Sequence, residues 1–168
     1  EENVREKFIK NKRKFFVPQY NVPDFLIEDL RSSLAEKFEK IMDILCNRAP
    51  IFIRVNVNKT DLFDVKERLR NEGIDSEACL GSVQGLRILN NFRRVKMSKS
   101  FQEGLFEFQD LNSQKVIEDC DLLRYEKFLD FCSGAGGKTL CLAALRKGIG
   151  SFFAYDIDKS KLEKLRFR

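Results

Sequence analysis

The sequence predicts an α/β chain: an amphipathic helix, then a small α+β unit, then the first part of a parallel sheet. Alternating apolar and polar residues over 51–57 are typical of a half-buried strand. The run at 128–132, which is apolar except for Asp130, is typical of a central parallel strand. A glycine-rich turn, a helix and a second strand follow that run, which is the order of a βαβ unit. We therefore expect an α+β portion followed by an α/β portion.

The amino-terminal region, residues 1–48, is predicted to be a basic arm followed by one helix. Lysines and arginines gather between Arg5 and Lys14. From Pro23 onwards, apolar residues recur at helical spacing and stop before Pro50. This pattern predicts a single helix that packs by its apolar stripe.

Residues 49–102 are predicted to form the small α+β unit. After the alternating strand, a helix capped by Thr60 or Asp61 is expected to stop at Gly73, because glycine readily adopts the left-handed conformation of a helix end. The extended segments expected after this helix are 78–80 and 86–89.

Residues 103–168 are predicted to begin the parallel sheet. Asp110 or Asn112 is expected to cap the first helix, and Gly148 to end the second. A right-handed crossover is the default for two parallel strands joined by a helix. Because the chain extends only to Arg168, we expect an incomplete sheet with an exposed parallel edge. The expected elements are a strand at 104–109, a helix at 113–120, a strand at 128–132, a helix at 138–147 and a strand at 151–156.

The composition argues against several kinds of site. The five cysteines are widely spread and never form a Cys-x-x-Cys pair, so neither a disulfide framework nor a zinc cluster is predicted. The chain has no histidine, and no metal is expected. No apolar stretch approaches the roughly 20 residues of a membrane span, and no signal peptide is recognisable, so a cytoplasmic location without membrane contact is predicted. The formal net charge of +5 is compatible with a nucleic-acid partner.

The glycine-rich turn does not fit two common nucleotide-binding motifs. A P-loop requires glycine where Cys132 stands, and a dinucleotide fingerprint requires glycine where Thr139 stands. The third candidate is S-adenosylmethionine, whose site combines a shorter glycine loop with an acidic residue at the end of the second strand. Asp156 is that residue, and the 20 positions from Gly136 to Asp156 accommodate one helix and one strand.

The turn and Asp156 together predict a site for a ribose-bearing cofactor, S-adenosylmethionine. Backbone amides of the turn are expected to approach the methionine end, and Asp156 to accept hydrogen bonds from the ribose hydroxyls. The alternative is a sheet that binds nothing, with ordinary turn glycines and a surface aspartate. The predicted cofactor-binding residues are Cys132, Ser133, Gly134, Ala135, Gly136, Gly137, Lys138 and Asp156.

Three ordered blocks of the sequence resemble one protein family. They are Arg54-Val55-Asn56 with Lys59, the segment 101–114 with its Gln109-Asp110 pair, and the segment 129–139. Together they cover about residues 50 to 160 and are similar to the Fmu/Sun family of RNA cytosine-C5 methyltransferases. The joint occurrence of three blocks is far more specific than a single glycine loop.

The resemblance implies methyl transfer from S-adenosylmethionine to carbon 5 of a cytosine in ribosomal or transfer RNA. It also implies a Rossmann-like methyltransferase fold, here truncated, preceded by an RNA-recognition-like subdomain. The loop carries Ser133, Gly134 and Ala135 where the family more often has Ala-Ala-Pro, which should loosen the loop without removing its amides.

The implied RNA-recognition-like subdomain is expected to present basic side chains to RNA. Folded RNA is bound largely through phosphate and shape, so these charges would contribute affinity more than sequence choice. The alternative is that they are solvated surface charges. The residues concerned are Arg54, Lys59, Arg93, Arg94 and Lys96.

The family's catalytic cysteines have no counterpart in this chain. Its nucleophile lies in a Thr-Cys motif and its assisting cysteine in a Pro-Cys motif, and neither motif occurs here. We therefore expect both cysteines beyond residue 168, no catalytic residue within the chain, and no activity of the chain alone. Cys132 and Cys141 are predicted to be small buried thiols. An alternative function is a non-catalytic RNA-binding remnant of such an enzyme.

Overall fold

The computed structural model describes residues 16–17, 20, 22–120, 122 and 124–167. The chain divides into two compact units, Glu1–Ala49 and Pro50–Arg168. The basic arm predicted from Arg5 to Lys14 lies outside the described residues.

The described residues of the first unit contain two α-helices where the sequence predicted one. Ala35 has a φ of +46°, a conformation that a right-handed helix cannot contain, so the predicted helix is broken there. The break lets both helices contribute to one buried cluster formed by Tyr20, Ile27, Phe38 and Met42. The elements are an antiparallel pair, β1 (Phe16–Val17) and β2 (Val22–Pro23), then α1 (Asp24–Leu34), a 3-10 turn (Ala35–Lys37) and α2 (Phe38–Cys46).

The second unit begins with an antiparallel sheet of four strands, in the spatial order Ser76–Ala78, Gly85–Ile88, Ile51–Val55 and Phe106–Phe108. Its chain order is strand, helix, strand, strand, helix, strand, the order of a ferredoxin-like unit. The predicted α+β unit is thus present, with an additional fourth strand. The elements are β3 (Ile51–Val55), α3 (Leu62–Asn71), β4 (Ser76–Ala78), β5 (Gly85–Ile88), a 3-10 turn (Val95–Met97), α4 (Lys99–Gln102) and β6 (Phe106–Phe108).

One face of this sheet forms the main apolar core. Ile53 and Val55 of β3 are fully buried and pack with Leu86 of β5 and with Val65 and Leu69 of α3. The cap predicted for α3 at Thr60 or Asp61 is Asp61, whose side chain accepts a hydrogen bond from the amide of Asp64. The alternating pattern of the sequence therefore identified the core face of β3 correctly.

The predicted domain boundary at residues 102 and 103 remains a prediction, although the sheet extends across it. Phe106–Phe108, expected to open the methyltransferase portion, pairs in register with Ile53–Val55.

The remaining elements build a two-stranded parallel sheet with helices, as the βαβ pattern predicted. The register runs from Lys127↔Ser151 to Asp130↔Ala154. The elements are α5 (Leu111–Asp119), β7 (Lys127–Asp130), α6 (Gly137–Leu145), β8 (Ser151–Ala154) and α7 (Lys159–Arg166). α5 packs against α6.

β7 is not the buried strand that its apolar sequence predicted. Alternate side chains are exposed along β7 and β8, and Leu129 and Phe153 are 65% and 55% exposed. Within the described residues β7 pairs with β8 alone and α6 covers the pair on one side, so the other side keeps its apolar residues in contact with solvent.

Candidate functional site

The glycine-rich turn lies at the carboxyl ends of the two parallel strands. Gly134 and Gly136 both have positive φ, +54° and +83°, which the glycine-rich sequence allows at low steric cost. The amide of Gly136 donates to the carbonyl of Ser133 at 2.8 Å, and the amide of Ser133 donates to the carbonyl of Tyr155 at 2.9 Å. These bonds fix the turn to the end of β8, so the amides of the turn and the start of α6 meet at one edge of the sheet.

The structure brings Asp156 to the turn, as the spacing predicted. One carboxylate oxygen, Oδ2, accepts a hydrogen bond from the amide of Gly134 at 2.7 Å, and Oδ1 accepts one from the amide of Asp158 at 2.9 Å. Hydrogen bonds from the amides of Asp158 and Gly134 lower the pKa of Asp156 below its usual value. The site thus contains a carboxylate that stays charged at neutral pH and is held by backbone donors.

The side chains around the turn differ in exposure. Cys141 is buried within α6, as predicted, and burial raises the pKa of its thiol. Cys132, predicted to be buried as well, is exposed because it follows the last paired residue of β7. Thr139 Oγ1 donates to Asp130 Oδ2 at 2.7 Å and thereby joins the first turn of α6 to the end of β7.

Arg54 is not on the exposed surface where an RNA contact was predicted. Its side chain is only 4% exposed and forms an ion pair with Glu107 at 2.8 Å. Nη1 donates to the side-chain oxygen of Gln109 and to the backbone carbonyl of Gly137, the latter at 2.5 Å. The polar face of β3 is therefore covered by the beginning of α6, which the alternating pattern of the strand could not reveal.

The other four basic residues of the predicted RNA surface are exposed but contact different elements. Lys59 Nζ donates to the carbonyl of Glu103 at 3.1 Å, at the end of α4. Lys96 Nζ lies 5.6 Å from the centre of the Phe108 ring. Arg93, Arg94 and Lys96 lie together between β5 and α4, and we refer to these three residues as the basic loop.

Two buried glutamines complete the surroundings of Arg54, and both were missed as functional candidates. Gln84 Nε2 lies 3.1 Å from Cys141 Sγ, and Gln114 Nε2 donates to the carbonyl of Gln109 at 2.9 Å. Both side chains are fully buried. Gln114 belongs to the second sequence block, so that block was the signal available in the sequence; we find no comparable signal for Gln84.

An apolar cleft of about 290 Å³ runs along β7 and β8. Its lining includes Phe128, Phe152 and Leu142 together with Lys138 and Thr139 at the start of α6, but neither Gly134 nor Asp156. The cleft therefore adjoins the first turn of α6 and not the carboxylate. Within the part of the chain that the structure describes, no cluster of acidic or cysteine side chains is suited to a metal ion.

The ferredoxin-like order of strands and helices is followed by a glycine turn, a helix and a second parallel strand that ends at a carboxylate. This order agrees with the family comparison. Residues 22–95 match the family described as methyltransferase RsmF/B-like, ferredoxin-like domain. This match and the relatives described next confirm the resemblance to the Fmu/Sun family of RNA cytosine-C5 methyltransferases that the three sequence blocks indicated.

Individual relatives agree with this assignment. The chain is 28% identical over 148 residues to the probable ribosomal RNA small subunit methyltransferase B of Synechocystis, covering 88% of this chain and 33% of that protein. It is 30% identical over 156 residues to the 26S rRNA (cytosine-C(5))-methyltransferase nsun-1 of Caenorhabditis elegans, covering 90% of this chain and 23% of that protein. The chain thus spans about a third or less of the length of these relatives.

A solved structure has the same fold. The crystal structure of NSun6 from Pyrococcus horikoshii with SFG superposes with a TM-score of 0.71 at 17% identity, covering 86% of this chain and 61% of that one. No helix among the described residues is long and apolar enough to cross a membrane.

Proposed function

We propose that this chain serves the S-adenosylmethionine-dependent methylation of cytosine C5 in RNA, with ribosomal RNA as the substrate and transfer RNA as the alternative. In this proposal β7, α6 and β8 begin a Rossmann-like methyltransferase fold, and the sheet of β3 to β6 is the RNA-recognition-like part. The names of the relatives support the reaction and the substrate class. SFG, an S-adenosylmethionine analogue held by a protein of the same fold, supports the cofactor.

The observation that carries the proposal is the hydrogen bond between Asp156 and the amide of Gly134. A carboxylate offers about four lone-pair positions, and backbone amides use two of them here. The remaining positions are free to accept the two ribose hydroxyls. Because Asp156 is hydrogen-bonded to the turn, the ribose and the methionine end of one cofactor would be bound by the same small segment of chain.

The start of α6 contributes a second feature of the proposed site. Gly137 and Lys138 open a helix of nine residues, and the positive end of a helix dipole favours a carboxylate such as that of the methionine moiety. When bound, S-adenosylmethionine supplies an electrophilic methyl group. The residues of this chain would orient it, since Asp156 would hold the ribose while the turn amides hold the methionine portion.

We further propose that the nucleophile is not among the cysteines of this chain. Cytosine C5 becomes reactive only after a thiolate adds to C6. Cys141 is buried and its pKa is raised, which disfavours the thiolate. Cys132 is exposed but directly precedes the turn, and we assign it to the cofactor scaffold.

Calorimetric titration of the full chain with S-adenosylmethionine tests the cofactor proposal. We expect Asp156→Ala to weaken binding about tenfold or more, because it removes acceptors for two ribose hydroxyls. Glu163→Gln, an exposed acid on the neighbouring helix α7, is the matched control and should leave the affinity unchanged. Equal affinities of the wild type and Asp156→Ala would contradict the proposed site.

A radiolabel assay tests the missing nucleophile. We expect no transfer of labelled methyl groups from S-adenosylmethionine to ribosomal RNA by residues 1–168 alone. Efficient labelling at cytosine C5 would place the nucleophile within this chain and overturn that part of the proposal.

The second candidate, RNA binding without catalysis, is favoured by the exposed basic loop. It shares with the first candidate an RNA affinity that falls steeply with salt. Only the first candidate requires S-adenosylmethionine binding that depends on Asp156, so the calorimetric titration separates the two.

A further inference from the structure

We propose that Arg54 is a positioning residue that couples the four-stranded sheet to the cofactor turn. By holding the backbone carbonyl of Gly137, it sets the position of the first turn of α6 and thereby the affinity for the cofactor, which it does not itself touch. The effect on cofactor affinity rests on the proposed function. The mechanical coupling between β3 and the turn does not.

The three sequence blocks that identify the family meet at this one guanidinium. Arg54 belongs to the first block, Gln109 to the second and Gly137 to the third, and the separations in sequence are 55 and 83 residues. Nη1 donates to both partners, while Nη2 donates to Glu107 Oε2 at 2.8 Å. Residues from separate blocks thus form one hydrogen-bonded cluster.

The charge of Arg54 is compensated from within the sheet. Glu107 on β6 lies directly opposite Arg54 in the strand register, so a cross-strand ion pair forms without distortion of the backbone. A buried charge of this kind is stable only when it is paired and hydrogen-bonded. With the charge already balanced by Glu107, the bond to the neutral carbonyl of Gly137 is available to fix the turn.

The sheet provides space for this cluster. Gly85 on β5 is the other direct neighbour of Arg54 in the register. A Cβ at Gly85 would lie 2.8 Å from Ser82 Oγ and 3.1 Å from Gln114 Oε1, so the absence of a side chain lets the polar groups approach the strand. The cluster is therefore packed on its sheet side as well as on the side of α6.

The charge-assisted hydrogen bond from Arg54 to the carbonyl of Gly137 fixes the position of the turn more directly than it stabilises the overall fold. Such bonds are about twice as strong as neutral ones, and burial strengthens them further. The carbonyl of Gly137 is one residue from the left-handed Gly136 and three from Gly134, whose amide contacts Asp156. Loss of this bond frees the segment that carries the proposed cofactor-binding amides.

Hydrogen exchange of the cofactor-free full chain tests the coupling. Arg54→Lys keeps the charge beside Glu107 but cannot reach Gln109, Gly137 and Glu107 together, because lysine has a single nitrogen. We expect the amides of residues 134–138 to exchange about tenfold faster in this variant, the effect of one lost charge-assisted hydrogen bond. Amides of α3 should keep their wild-type rates.

Arg87→Lys is the matched control. Arg87 lies on the adjacent strand β5, opposite Phe52, and is exposed. It forms a cross-strand pair at 3.3 Å with Glu77 of the edge strand β4, on the side of β5 that faces away from β3. It should leave exchange at residues 134–138 unchanged. Exchange at the turn equal in Arg54→Lys and wild type, or acceleration spread evenly over all amides, would overturn the proposal.

A second variant covers the case in which Arg54→Lys does not fold. Gln109→Met removes one acceptor of the guanidinium and leaves the ion pair with Glu107 intact. Amide exchange at the turn should be faster than in the wild type, but the acceleration should be several-fold smaller than that caused by Arg54→Lys. Exchange equal to the wild type would again contradict the coupling.

Calorimetric titration with S-adenosylmethionine on the same variants provides the second readout. We expect about tenfold weaker binding by Arg54→Lys and unchanged binding by Arg87→Lys, since a tenfold change corresponds to the loss of one such bond. If the wild type binds no S-adenosylmethionine, the proposed function fails, while the exchange data still decide whether Arg54 holds the turn.

Discussion

Gly136 is the residue of the glycine-rich turn that packs against α7. A Cβ on this residue would lie 2.1 Å from Leu165 Cδ1, closer than any real contact, and its φ of +83° is unfavourable for other residues. Glycine at this position therefore permits both the turn and the close packing of α7.

Replacement of Gly136 by alanine should cost about 2–5 kcal/mol, the sum of about 1–2 for left-handed strain and about 1–3 for overpacking. Gly148→Ala separates the two effects, because Gly148 has a similar φ of +74° but nothing within 4 Å of an added Cβ. Urea denaturation measures both variants. If the clash with Leu165 matters, Leu165→Ala should restore part of the stability of Gly136→Ala, and a purely additive double variant would argue against it.

The ionisation of Asp156 gives the turn a defined pH dependence. Its pKa is lowered in the folded chain, so its contribution to stability is present above the ordinary carboxyl pKa of about 3.9 and is lost as the pH falls through the lowered value. In NMR titrations, the amide signals of Gly134 and Asp158 should therefore shift together below about pH 3.9. The shift should vanish in Asp156→Asn. A midpoint above the ordinary value would show that the backbone hydrogen bonds do not hold the carboxylate.

At the scale of elements, the caps of the helices were readable in the sequence. Asp110 caps α5 by accepting hydrogen bonds from the amides of Asn112 and Ser113, so one of the two predicted caps is confirmed. α5 carries Gln114 towards β3, where its Nε2 lies 3.4 Å from the carbonyl of Ile53. The cap therefore supports both a helix and the polar cluster beneath it.

Asp110→Ala should lower the free energy of unfolding by about 1 kcal/mol, the typical cost of a lost N-cap. Asp119→Ala is the control, because this residue ends the same helix, where a negative charge is unfavourable to the helix dipole, and its loss should be neutral or slightly stabilising. Thermal unfolding followed by circular dichroism measures both. Equal destabilisation by the two variants would mean that the contribution of α5 to stability depends on charge and not on capping.

Other elements could not be predicted from local sequence. The break at Ala35 places a non-glycine residue at positive φ, which has no signature in the apolar spacing of 23–45. The sequence predicted no helix or strand for 95–102, which forms a 3-10 turn and the short helix α4, in which Val95 and Ser100 are buried. Contacts with the rest of the sheet unit stabilise these short elements, and a window of sequence contains no information about such contacts.

At the scale of the whole molecule, the parts of the site differ in how far the sequence revealed them. The position of Asp156 beside the turn could be predicted because one helix and one strand fix its distance from the turn. Arg54 was misplaced because the alternation of a strand tells which residues share a face, but not what covers that face. Here the covering element is α6, whose first residue is 83 positions away in sequence.

The basic loop is the exposed charged feature to which the RNA proposal assigns affinity. Each phosphate contact with single-stranded RNA contributes about −0.7 to the slope of log K against log salt. Replacing all three residues of the basic loop by glutamine should therefore reduce the slope by about 2 and weaken binding at low salt. Filter binding or fluorescence anisotropy with a ribosomal RNA fragment, repeated over a range of salt concentrations, measures both quantities.

Net charge alone could produce a similar loss, since the chain carries a formal charge of +5. A charge-matched variant distinguishes the two explanations: Lys161, Lys164 and Arg166 are exposed on α7, and their replacement by glutamine removes the same three charges. If the basic loop contacts phosphate, replacing it should reduce the slope of log K against log salt, while the α7 variant should keep most of that slope. Equal losses in both would assign RNA affinity to the overall field of the molecule, because long-range attraction depends on total charge and local contact depends on position.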